Sequence, residues 1–131
     1  MAIIGVALAR NAQTAKAIVI PFSCEASASI GDLVYPDPST DLKVLVNTDN
    51  QEIEQTIGVI LEKPASESAN VIVLGIVTGY TSLTRGGKIF LSDSGTITQS
   101  PPATGYIQNL GVAVSETDIL LQPSNERVLR A

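Results

Sequence analysis

Residues 69–79 read Ala69-Asn70-Val71-Ile72-Val73-Leu74-Gly75-Ile76-Val77-Thr78-Gly79, and Val71 to Val77 holds only apolar residues and glycine. A strand with one wet face alternates apolar and polar residues, and this stretch does not. Its β-branched residues and its two glycines oppose a helix, and its length is short for one. The stretch therefore reads as a central β-strand covered on both faces. Val71, Val73 and Val77 are expected to point one way, and Ile72, Leu74 and Ile76 the other. One face would fill a barrel or sandwich core. The other would meet a second layer or a neighbouring subunit.

Working outward, short apolar runs alternate with turn residues. Lys16–Phe22 reads as a strand ending near Pro21. Leu33-Val34-Tyr35 is stopped by Pro36-Asp37-Pro38, where two fixed φ angles and an Asp side chain favour a turn. Leu42–Val46, Thr56–Leu61, Lys88–Leu91, Thr96–Thr98, Tyr106–Val114 and Asp118–Gln122 complete the strands. Glu62–Ser68 reads as an exposed loop and Glu126–Ala131 as a tail. The spacing predicts an all-β fold: a small β-barrel or sandwich of about nine or ten short strands. The expected organisation is an extended N-terminal arm over 1–14 and a single β domain over 15–131.

The strands also repeat. Gly31-Asp32-Leu33-Val34-Tyr35, Ile57-Gly58-Val59-Ile60 and Asn70-Val71-Ile72-Val73 come in order. Gly87-Lys88-Ile89-Phe90-Leu91, Leu110-Gly111-Val112-Ala113 and Asp118-Ile119-Leu120-Leu121 follow in the same order. Two similar β units, about 31–75 and 87–122, are expected. Gly58 and Gly111 sit inside apolar strands, where glycine costs about 0.5–1 kcal/mol relative to Ala. Glycine there marks a bulge, a bend or a close backbone approach.

Composition narrows the chemistry. The 131 residues include no His, no Trp, one Cys and five Tyr or Phe, so aliphatic side chains must build the core. A disulfide scaffold or a Cys/His zinc site within one chain is excluded, and Cys24 reads as a buried thiol. The net charge is −5, concentrated in residues 25–67, where nine acids face two bases. Such an acidic middle opposes nucleic-acid binding. No stretch approaches the roughly 18 apolar residues of a membrane helix. Residues 1–10 lack the basic start of a signal peptide, so an unprocessed protein made in the cytoplasm is expected.

Without His, no ordinary nucleophile–base pair can be assembled. Ser92 or Ser94 with Lys88 is supported only by proximity in sequence. The acid pairs Asp37/Asp41 and Glu52/Glu54 lie in turns or polar segments, where acids are simply soluble. Asp37–Asp41 and Asp93-Ser94-Gly95 lack the ligand density of a calcium loop. No catalytic residue, cofactor site or metal site is expected, and the chain reads as a structural or assembly protein.

The glycine-bounded pattern, from Gly31-Asp32-Leu33-Val34-Tyr35 through Leu110-Gly111-Val112-Ala113 to Ile119-Leu120-Leu121, resembles small virion proteins of tailed phages. It looks most like head decoration (cement) proteins. The resemblance spans about residues 30–122 and carries over no catalytic residue. It implies a β-rich protein, often a homotrimer. Such a protein sits on the virion (capsid exterior), bound to the major capsid protein, where it stabilises contacts between capsid subunits. Neither nucleic acid nor membrane is implied as a partner. A phage fibre, tail or baseplate module, or a non-viral ligand-binding β domain, is the alternative. On this reading Ile3, Ile4, Val6 and Leu8 of the arm lie on this subunit, a neighbour or the capsid. Arg10 and Lys16 would meet acidic shell residues, and Ile72, Leu74 and Ile76 would face a symmetry mate.

Overall fold

A computed structural model describes residues 16–130. Eleven strands follow in order: β1 (Ala17–Ser23), β2 (Leu33–Pro36), β3 (Val44–Val46), β4 (Gly58–Ala65), β5 (Ser68–Thr78), β6 (Lys88–Leu91), β7 (Ile97–Thr98), β8 (Gly105–Ile107), β9 (Asn109–Ala113), β10 (Asp118–Leu121) and β11 (Val128–Arg130). The described residues contain no helix. Nine strands form one antiparallel sheet curled into a half-barrel, and β8 and β11 make a separate ribbon. The arm over 1–14 lies outside the described residues.

The 11-residue β5 is the strand that the others are built on. Val71 and Ile72 pair with Ile20 and Val19 of β1 on one edge and with Ile60 and Val59 of β4 on the other. Gly75 pairs with Ala17 of β1 and with Leu121 of β10. Thus β1 runs along one edge of β5, while β4 and then β10 share the opposite edge. The sheet divides there into two five-strand units that hold β5 in common: β3-β2-β4-β5-β1 and β7-β6-β9-β10-β5.

The two units match residue by residue. In the first, Leu33 pairs with Val59, Val59 with Ile72, and Ile72 with Val19. In the second, Lys88 pairs with Val112, Val112 with Leu120, and Leu120 with Ile76. The opening turns match as well. Asp32 N–H donates to Ser29 O and Gly87 N–H to Thr84 O, each at 3.1 Å. Gly31 N–H donates to Ile60 O at 2.8 Å, and Gly86 N–H donates to Ala113 O at the same distance. Gly31 and Gly86 both take the positive φ that such a turn requires, +93° and +79°. Gly31 therefore corresponds to Gly86. The sequence alignment, which set Gly31 against Gly87, is one residue out at this landmark. The strand landmarks Gly58/Gly111 and Val71/Ile119 correspond as expected.

Both faces of β5 are covered, by two different clusters. Ile72 and Val77 lie in a core with Leu33, Val59, Ile89, Leu91, Leu110, Ala113, Ile119 and Leu121. Ala69 and Val71 lie in a second core with Cys24, Ala28, Val34, Val44 and Ile60, and Val73 packs against it. Val77 thus sides with Ile72, not with Val71 and Val73. The pairing with β1 slips between Ile18 and Val19, and Gly75 adopts φ +133°. This bulge reverses the alternation partway along the strand. The second layer comes from the chain itself, so neither face of the first half of β5 needs a neighbouring subunit to cover it.

Three boundaries differ from the sequence reading, and in the first Tyr106–Val114, expected as one strand, is split into β8 and β9 of different sheets. β4 continues through Pro64 to a tight turn at Ser66-Glu67, where an exposed loop was expected. Pro64 is tolerated because the β4–β5 register is already interrupted between Glu62 and Ala65. Val128–Arg130, expected as tail, forms β11 against β8.

Candidate functional site

Among the contact residues expected from sequence, Ile3, Ile4, Val6, Leu8 and Arg10 lie outside the described residues. Lys16 is exposed, and its carbonyl accepts the Ile76 N–H at 2.7 Å. Ile72 is only 4% exposed, inside the first core, and offers no surface to a symmetry mate. Leu74 is 40% exposed and Ile76 is half-buried. Of the three β5 residues expected at a contact, these two keep accessible surface.

Ser92, Asp37, Glu52 and Glu54 are occupied by local structure. Ser92 Oγ accepts the N–H groups of Ser94 and Thr96 at 3.2 and 3.1 Å and contacts both neighbouring hydroxyls. It closes a turn, and no hydrogen bond joins it to Lys88. Asp37 Oδ1 accepts the Ser39 N–H at 2.8 Å, an Asx turn. Glu54 is buried and accepts the N–H groups of Thr48 and Asp49 at 2.6 and 3.1 Å. Glu52, its partner in sequence, instead accepts the Tyr106 hydroxyl at 3.1 Å. Among the described residues no group of three or more Cys, Asp or Glu is placed to hold a metal ion. Cys24 is free and buried, as its apolar surroundings in sequence suggested.

A buried polar network joins the two units. Gln108 donates from Nε2 to the carbonyls of Thr56 and Ser124 at 2.8 and 2.9 Å, and its Oε1 accepts the Thr56 N–H at 2.9 Å. The Thr56 hydroxyl donates to Asn47 Oδ1 at 3.0 Å, and Asn47 Nδ2 donates to Glu54 O at the same distance. Asn50 Nδ2 donates to the carbonyls of Thr104 and Tyr106. Every buried side-chain polar atom among the described residues has a partner. A fully satisfied network of this kind fixes one arrangement of its parts. The sequence places Asn47 and Asn50 in a turn, Glu54 in a polar segment, and Thr56 and Gln108 in strands. No pattern in sequence pairs residues so far apart.

A cavity of about 280 Å³ opens at the same junction, lined by Leu33, Val46, Asn47, Tyr80, Thr96 and Ile97. It is slightly smaller than the range of about 300–1,000 Å³ typical of ligand pockets. Burial pushes the Tyr80 phenol above its ordinary value of 10.0. Asp32 also lines the cavity.

Ile30, Leu42 and Leu61 are exposed singly, and further apolar side chains gather in two places. Val128 and Leu129 on β11 are 66% and 63% exposed, and Ile53 is 62% exposed. Arg127 stacks 4.7 Å from the centroid of the Tyr106 ring and donates to Gln51 O, which ties this ribbon to the segment holding Ile53. The second place is the outer row of the second unit, Ile76, Leu120 and Val112, with Lys88 at its end. Of this row the sequence reading singled out only Ile76.

No protein-family model matches the chain, and no curated protein shows significant similarity to it.

Proposed function

We propose that the chain is a non-enzymatic head decoration (cement) protein of a tailed phage. On this reading it binds the outer surface of the capsid, as a homotrimer, and stabilises contacts between major capsid protein subunits. The observation that carries the reading is a contrast. Asp37, Glu52, Glu54 and Ser92 are engaged in turns and in the unit junction, while apolar side chains stand exposed on β11 and β5. Exposed large apolar groups clustered on a small domain favour a docking role over a catalytic one. Val128, Leu129 and Ile53 form the surface offered to the shell, with Leu74 as a further apolar contact.

Cosedimentation of the purified protein with procapsids and with expanded shells tests this. Binding to expanded shells, with trimers seen by light scattering, is the expected result. Failure to bind either shell overturns it. The stacking of two like units also suits a fibre, tail or baseplate module, and binding to isolated tails instead of heads would favour that reading.

A further inference from the structure

One row of side chains has opposite fates in the two units. In the first unit Val19, Ile72, Val59 and Leu33 lie side by side across four strands. Ile72, Val59 and Leu33 are buried there against Ile89, Ala113 and Ile119, while Val19 packs at the margin. The same row in the second unit is Ile76, Leu120, Val112 and Lys88. Ile76, Leu120 and Val112 are half-buried, Lys88 is exposed, and Val114, next along β9, is 47% exposed. The row is apolar too, yet the described residues leave it only partly covered.

A second copy of the chain cannot supply the matching cover. The face that covers the row in the first unit belongs to the second unit. Its counterpart on the first unit, Val34, Ile60 and Val71, is already sealed by Cys24, Ala28 and Val44. The described chain begins beside the row. Lys16 is bonded through its carbonyl to the Ile76 N–H, at the end of the row. Fifteen residues precede it, among them Ile3, Ile4, Val6 and Leu8. Extended, these residues span up to about 50 Å. The row crosses three strand spacings of about 4.8 Å each, roughly 15 Å. Lys88 at the far end can lay its aliphatic stem along an apolar neighbour and keep its ammonium in water.

We propose that Ile76, Leu120, Val112 and Lys88 form the docking surface for residues 1–15 of the same chain, seated through Ile3, Ile4, Val6 and Leu8. This inference is independent of the virion reading.

The test uses the full chain carrying Gly5→Cys with a nitroxide spin label, and isotope-labelled methyl groups. Cys24 is buried and does not compete for the label. The expected result is loss of the Ile76, Val112 and Leu120 methyl signals, with those of Ile60 and Val71 retained. Spin-labelled protein of natural isotope abundance is then mixed with isotope-labelled protein lacking the spin label. If the signals disappear in that mixture, the segment belongs to a neighbouring copy and the proposal fails. Retention of all the row's signals in the singly labelled chain also overturns it. Deleting residues 2–12 provides an independent check. It should shift the resonances of Ile76, Val112 and Leu120 and leave those of Ile60 and Val71 in place. Unmoved row resonances would contradict the proposal.

Discussion

Gly58 and Gly111 meet the same obstacle in two copies of one β unit. A Cβ on Gly58 would fall on the carbonyl oxygen of Ile72, and a Cβ on Gly111 would fall on that of Leu120. Ile72 and Leu120 are themselves counterparts in the paired registers. The close approach of one strand to the next is thus made twice, and at each place only glycine leaves room for it.

Alanine at either position should destabilise the fold. Overpacking costs about 1–3 kcal/mol where the obstacle is backbone. Gly111 also has φ +142°, which adds strain on the order of 1–3 kcal/mol for an L side chain. Gly79, at φ +111° with nothing near its missing Cβ, isolates the strain alone. Denaturant melts should therefore rank Gly111→Ala as the most damaging of the three. If Gly58→Ala proves neutral, the strand approach described here is not tight.

Gln108 holds the two units together from a fully buried position. Gln108→Ala would strand the Thr56 N–H and the carbonyls of Thr56 and Ser124. Leaving a buried polar group without a partner costs about 1–3 kcal/mol. Gln108→Leu keeps the volume but restores none of the bonds, so it should be destabilised to a similar degree. Thermal melting of both variants checks this. Full stability of Gln108→Leu would mean that packing, not hydrogen bonding, makes the junction.

The duplicated unit was legible because its signals are local: glycines inside apolar runs and turns before strands. The one-residue error at Gly31 arose because Gly86 and Gly87 are adjacent, and composition alone cannot say which one takes the positive φ. The misplacement of Val77 has a related cause. A period-2 reading carries no information about where the alternation reverses, and Gly75 marks the bulge only once its partners are known. Ile72 was assigned to a subunit contact because a second apolar face seemed to need a second molecule. Ile89, Ala113 and Ile119 supply that cover for Ile72 from elements distant in sequence. The Gln108–Thr56 junction is out of reach for the same reason: both look like ordinary polar residues at the start of a strand until the fold brings them together.

Alkaline pH should weaken the fold through Tyr80. Burial raises its pKa above 10.0, so the folded state holds the phenolic proton more tightly than the unfolded chain does. The stability linked to this proton is complete below the unfolded value and is lost as pH rises through the folded one. Tyr35 is raised too, first by desolvation and then by Glu54, Glu25 and Asp37, and it contributes to the same loss. Melting temperature should fall as pH passes about 10, and less steeply in Tyr80→Phe. Identical pH slopes in the two proteins would show that Tyr80 ionises freely.

The C-terminal ribbon makes a prediction of its own. Val128, Leu129 and Arg130 pair with Ile107, Tyr106 and Gly105, and all three side chains of β11 are exposed. The ribbon lies outside the main sheet, and neither Val128 nor Leu129 belongs to either core cluster. Substituting Leu129→Glu or Val128→Glu should therefore leave folding stability within about 0.5 kcal/mol of the parent. If this surface contacts the shell, the same substitutions bury a carboxylate in an apolar interface without a partner, which costs several kcal/mol. Binding to expanded shells should weaken by two orders of magnitude or more, since each roughly 1.4 kcal/mol is tenfold. A double variant that retains both full stability and full binding would move the contact away from the ribbon. One that loses stability along with binding would instead show that β11 supports the fold. Measuring melting and cosedimentation on the same preparation separates these outcomes.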